Sequence, residues 1–206
     1  MKNSIFVVVS IIVTSWVSLA KAEPFKDVPE KYRVCTVCHG AQLRGNEVTK
    51  APTLATLPAW YIENQLIGFR NEWRGKHPED YPGSEMYPVA ESLSEKEISK
   101  VSKFIEALPK SNKHTQIVKG DSAKGKELYA TCAACHGADA QGNEVLSAPP
   151  LLVQGDWYIK QQLLNFKNGL RGKVSDDARG ATMAAAITSL NSDSDIDDIV
   201  AYLSTL

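Results

Sequence analysis

Two pentapeptides of one plan, Cys35-Thr36-Val37-Cys38-His39 and Cys132-Ala133-Ala134-Cys135-His136, use every cysteine in this chain of 206 residues. Cys-x-x-Cys-His sets two thiols one helical turn apart beside an imidazole. This is the pattern that attaches a c-type haem, the thiols adding to the porphyrin vinyl groups and the histidine reaching the iron. Two such motifs predict two covalently bound haem c groups, held through Cys35, Cys38, Cys132 and Cys135. The competing readings are zinc knuckles or redox dithiols. No further Cys or His cluster completes a tetrahedral zinc site, and an exported free dithiol would oxidise.

The opposite face of each iron needs its own ligand. Beyond the initiator the chain has only Met86 and Met183, and each follows its motif histidine, His39 or His136, by 47 residues. Core packing is the usual fate of a methionine. The equal interval favours axial ligation instead, a thioether opposite an imidazole, which raises the potential of the iron. His77 stands where the second motif's half has Val174, and His114 lies in a polar stretch, so both read as solvated histidines.

A shift of 97 residues carries the first motif onto the second and brings much more into register. Gly45-Asn46-Glu47-Val48 falls on Gly142-Asn143-Glu144-Val145, Trp60-Tyr61-Ile62 on Trp157-Tyr158-Ile159, and Arg74-Gly75 on Arg171-Gly172. The chain is therefore a duplication. In each copy the apolar spacing is helical: Ile62, Leu66, Phe69 and Trp73 against Ile159, Leu163, Phe166 and Leu170, then Ile98, Val101, Ile105 and Leu108 against Ile196, Ile199, Leu203 and Leu206. Ser94 with Glu97, and Ser192 with Asp195, mark the start of the last helix of each copy. No run alternates with period two, so the predicted class is all-α. Asp193, Asp195, Asp197 and Asp198 read as the wet face of the final helix.

Residues 1–22 have the charged start, apolar middle and Ala-x-Ala end of a cleaved secretory signal, with Leu19-Ala20-Lys21-Ala22 at the cut. The expected domains are 23–108 and 119–206, joined by a polar linker at 109–118 that opens on a helix-stopping proline. The formal net charge is −1, and loss of the signal removes two lysines and no acid. That balance speaks against a nucleic-acid partner. The aromatic side chains Trp60, Trp157, Tyr61 and Tyr158 are expected to wall the haems, whose large apolar faces must be buried. Arg74 and Arg171 are either counter-charges for haem propionates or part of a solvated surface.

Each copy resembles a class I cytochrome c, wrapped around one haem, and the tandem resembles the dihaem cytochrome c4 family over essentially the whole mature chain. The resemblance implies that Pro52 and Pro149 lend backbone carbonyls to His39 and His136. It also implies that the haems approach each other through their propionates. One departure stands out. The second copy has Gly125, four residues before Tyr129, where the family's first helix crosses closely against an aromatic of the last, here Tyr202; the first copy has Val28, so its leading helix is expected to be short or displaced.

With both axial positions filled, no iron is open to substrate, so the chain reads as an electron carrier and not an enzyme. The expected function is a monomeric periplasmic carrier, with or without a peripheral membrane contact, between a quinol-oxidising complex as donor and a terminal oxidase or reductase as acceptor. The alternatives are a fixed cytochrome subunit of a dehydrogenase complex and a dihaem enzyme with a labile sixth ligand.

Overall fold

The computed structural model describes residues 28–109 and 117–206. The expected signal at 1–22, the first residues of the first domain, His114 and most of the linker lie outside the described residues. The first half runs α1 (Arg33–His39), β1 (Arg44–Asn46), β2 (Ala51–Thr53), α2 (Ala59–Arg70), α3 (Tyr81–Ser84), α4 (Met86–Glu91) and α5 (Glu95–Glu106). The second runs α6 (Ser122–His136), α7 (Asp156–Lys167), α8 (Ala178–Ala186) and α9 (Asp193–Leu203).

Each half has its own core. In the first, Ile62, Leu66 and Phe69 of α2 meet Ile98, Val101 and Ile105 of α5. In the second, Ile159 and Phe166 of α7 meet Ile196, Ile199 and Leu203 of α9. These are the apolar stripes of the 3.6-residue period, buried against one another. Trp73 and Leu170, which continue the stripe in sequence, fall beyond the helix ends, because the chain turns back at Asn71 and Asn168 and the amides of Trp73 and Leu170 bond to Gly68 and Asn165 carbonyls. Both last helices open on a capping box, Ser94 with Glu97 and Ser192 with Asp195.

Three features depart from what the sequence predicts. A two-stranded antiparallel hairpin, β1 with β2, follows the first haem motif, with Arg44 opposite Thr53; the matching place in the second half has a single bridge, Asn143 to Ala148. Three-residue strands are too short to register as alternation. Second, Asp195 and Asp198 are not on a wet face: both are buried, Asp198 accepts from the Asp121 amide, and Lys124 Nζ reaches Asp195 at 2.7 Å and Asp198 at 2.9 Å. Third, Ile117 and Val118, at the end of the expected linker, donate their amides to Asp156 Oδ2 at the start of α7, and Val118 joins the second core.

The helices that lead into the motifs also differ. Helix α6 has fifteen residues and α1 seven. Gly125 makes the longer helix possible, since a Cβ there would lie 1.9 Å from the Asp198 carbonyl oxygen of α9. Tyr129 then packs on Tyr202 with ring centroids 5.6 Å apart, and Tyr32 on Phe104 at 5.3 Å. In the first half buried Val28 fills space at the edge of the core.

Candidate haem sites

Helices α1 and α6 end on the motif histidines because a glycine with positive φ, Gly40 or Gly137, turns the chain sharply after each. The turn leads to a segment that comes back beneath the imidazole. His39 Nδ1–H donates to the Pro52 carbonyl at 2.8 Å and His136 Nδ1–H to the Pro149 carbonyl at 2.9 Å. A carbonyl can only accept, so this bond fixes the tautomer and leaves Nε2 with its lone pair free. Burial lowers the pKa of both imidazoles, which keeps them neutral and ready to ligate. Gly45 and Gly142, both at positive φ, allow the returning backbone to approach: a Cβ at Gly45 would meet the Thr53 amide nitrogen at 2.8 Å.

Cys35 and Cys132 are half-buried, Cys38 and Cys135 exposed. Burial pushes the thiols of Cys35 and Cys132 up, the reverse of what a redox dithiol needs. In the second half Cys132, Cys135, His136 and Met183 line one cavity of about 400 Å³ together with Tyr158 and Arg171. Trp60, Tyr61, Gln65 and Arg74 reach into the same cavity from the first half. In the first half Cys35, Tyr61 and Met86 pack against the core that α2 and α5 make. Trp157 stands edge-on to Tyr158 as Trp60 does to Tyr61, 5.7 Å between centroids in each pair, and lies beneath Lys50 Nζ of the other half, at the seam between the two. His77 is exposed, as a solvated histidine is.

The seam carries a ring of four side chains with approximate two-fold symmetry. Arg74 donates to Gln65 of its own half and to Gln162 of the other at 3.2 Å; Arg171 donates to Gln162 at 2.6 Å and to Gln65 at 3.3 Å. Each guanidinium also lies 4.3 Å above a phenylalanine ring, Phe69 or Phe166. Both arginines are buried, which removes the solvated-surface reading. Burial and the adjacent Arg74 charge lower Arg171 to about 10, so both remain cationic at neutral pH. Asp80 and Asp177, N-caps of α3 and α8, give partial compensation. The Nε atoms of Arg74 and Arg171 have no partner among the described residues. Two buried cations with unfilled donors call for further anions, and porphyrin carboxylates supply that chemistry. Thiols, imidazole, thioether, apolar walls and buried guanidiniums thus form a donor set that fits two haem c groups.

Sequence reasoning gives no role to Gln65, Gln162, Asp80, Asp177 or Gln154. The first four are matched between the copies, a usable signal; Gln154 matches Leu57 and gave none.

The cytochrome c family profile matches residues 28–109 and 122–206. Cytochrome c-552 of Acidithiobacillus ferridurans is 30% identical over 195 residues, covering 87% of this chain and 78% of its own. The thiosulfate dehydrogenase electron acceptor of Stutzerimonas stutzeri is 28% identical over 183 residues, 84% of this chain and 78% of its own. Among solved structures, cytochrome c4 of Acidithiobacillus ferrooxidans superposes with a TM-score of 0.69 at 27% identity, over 85% of this chain and 99% of that one.

Proposed function

Because this chain belongs to the cytochrome c family, as a tandem dihaem electron carrier like cytochrome c4, we propose that His39 with Met86 and His136 with Met183 ligate its two irons. We further propose that it shuttles single electrons between a quinol-oxidising complex and a terminal oxidase or reductase in the periplasm, as a monomer of two domains, 23–108 and, with Ile117 and Val118 now joined to it, 119–206, freed from the signal at 1–22. Bound haem supplies reversible one-electron exchange between ferric and ferrous iron. The polypeptide holds both ligands through that exchange. The Pro52 and Pro149 carbonyls fix the imidazoles, and the two cores exclude water from the bound groups.

The observation that carries the reading is the four-membered ring of Gln65, Arg74, Gln162 and Arg171. It puts buried positive charge where the two halves meet, which supports a reading in which an electron arrives through one half and leaves through the other. A spectroelectrochemical titration with magnetic resonance of the oxidised protein tests this. Two one-electron transitions from low-spin irons are expected; rapid binding of cyanide or carbon monoxide to one haem would favour a dihaem enzyme instead.

A second reading of the donor draws on the relatives named as thiosulfate dehydrogenase electron acceptors, from Stutzerimonas stutzeri and Thiomonas intermedia. There the carrier would serve a sulfur-compound dehydrogenase, as a fixed subunit or a dedicated acceptor. Copurification of a dehydrogenase under gentle conditions supports that reading, and turnover with a quinol-oxidising complex supports the first.

A further inference from the structure

The outer face of the first haem motif differs in charge from its copy. Val34 and Val37 stand one helical turn apart on α1, beside exposed Cys38, and are 64% and 74% exposed. Val48 is 91% exposed on the following turn, which Thr49 Oγ1 pins to the Cys38 carbonyl at 2.6 Å. On the same helix, the turn before it and the hairpin after it stand Lys31, Arg33 and Arg44, all exposed, with Lys50 at the edge, where its Nζ lies over Trp157, against Glu30 and Glu47. In the second half the four basic positions are Leu128, Ala130, Gln141 and Ser147, both acids recur as Glu127 and Glu144, and Gln42 becomes Asp139. Val34 and Val37 become Thr131 and Ala134, while Val48 recurs as equally exposed Val145 beside exposed Leu146, so the two faces differ chiefly in the charge of their rims. Glu85 on the first face, and Lys126 and Arg179 beside the second, narrow the contrast without reversing it.

We propose that this basic-rimmed valine patch is where an acidic redox protein docks on the first half, and that the second half's matching face rejects such a partner. The inference rests on the reading that haem occupies the first motif. An exposed apolar centre inside a charged rim suits a short-lived complex, with steering from the rim and contact from the centre. The probe is flavodoxin, a small acidic redox protein, titrated into isotope-labelled holoprotein whose haem content is first verified by its absorbance. A lack of haem would overturn the functional reading and this inference with it, whereas a wrong docking face in haem-loaded protein would overturn this inference alone. With haem present, amide shifts should cluster at 31–50 and not at 128–147, and binding should weaken about tenfold or more between ~10 and ~200 mM salt. Arg33→Glu with Arg44→Glu should weaken it about tenfold, and Gln141→Glu less than twofold. Shifts on the second face, shifts shared evenly by both, or no binding at low salt would overturn the proposal.

A different observation carries a second inference. The Gln154 side chain crosses the seam and pairs with one backbone residue of the first half: Thr53 N–H donates to its Oε1 at 3.1 Å, and its Nε2 donates to the Thr53 carbonyl at 2.7 Å. Thr53 directly follows Pro52, whose carbonyl takes the His39 proton. The reverse contact is impossible, because Gln154 matches buried Leu57 and Thr53 matches Pro150, which has no amide hydrogen. We infer that Gln154 is a positioning residue through which the second domain tunes the first haem alone, given that His39 ligates iron. Gln154→Met keeps the bulk and removes both bonds. It should loosen the Pro52 carbonyl, make the His39 imidazole a weaker donor to iron and raise the first haem's potential. The expected change is about threefold in the redox equilibrium, or about 28 mV at 59 mV per tenfold for one electron. The second haem and both His/Met spectra should be unchanged. Equal movement of both potentials, or of neither, would overturn the inference.

Discussion

The N-terminal half approaches its haem motif on seven helical residues and the C-terminal half on fifteen, yet both present the same histidine to a proline carbonyl at nearly the same distance. The site and the structure that braces it are therefore separable. Apart from the tyrosine that each packs on its last helix, Tyr32 or Tyr129, what the halves share lies downstream of the motif: the glycine turn, the returning segment, the aromatic helix and the arginine at the seam. Upstream, one half relies on a helix crossing that needs Gly125, and the other on buried Val28 beside a hairpin. Equal chemistry does not require equal stability, so perturbations aimed at the bracing should separate the halves.

The largest separation should come from Gly125→Val. A side chain there meets α9 backbone on a Cβ that already lies 1.9 Å from the Asp198 oxygen, and overpacking against backbone costs about 3 kcal/mol or more. Thermal unfolding followed at each haem should show the second half melting first, with the first unchanged; a common shift would mean that the halves unfold as one unit. Val28→Ala is the converse experiment. Emptying a site only 2% exposed should cost about 2 kcal/mol, confined to the first half.

Arg171→Gln should act on both halves together, since Gln65 and Gln162 each lose a donor at a buried seam, for about 1–3 kcal/mol of coupling between domains. Calorimetry should then resolve two transitions that overlap in the parent. Ser94→Ala and Ser192→Ala should each cost about 1 kcal/mol, because both caps close the same box.

The smallest effect is in acid. The hydrogen bond from Lys124 holds Asp195 down to about 2, from an ordinary 3.8, and lowers Asp198 as well. A carboxylate depressed on folding stabilises fully above its unfolded pKa and loses that contribution as pH falls through the folded one. The clasp should therefore hold above about pH 4 and fail toward about pH 2. Lys124→Met should move the second half's acid transition, read at its haem, to higher pH without moving the first.

Much of this is legible in the sequence, for physical reasons. Covalent haem attachment demands a fixed tripeptide spacing, the 3.6-residue period announces the helices, and duplication exposes whatever the copies must both keep. The short hairpin at Arg44 and Thr53 escapes because three-residue strands leave no alternation. Burial of Asp195 and Asp198 escapes because their partner, Lys124, is about seventy residues away and only the α6–α9 crossing brings it near. Gln154 leaves no trace because a contact between copies need not appear in both.

The most direct test of the central claim is proton magnetic resonance of the ferrous holoprotein. A thioether bound to iron lies over the porphyrin, where the ring current displaces its methyl signal far upfield. Two such methyl signals are expected, one lost in Met86→Leu and the other in Met183→Leu. A single displaced signal, or two that survive either substitution, would contradict paired His/Met sites.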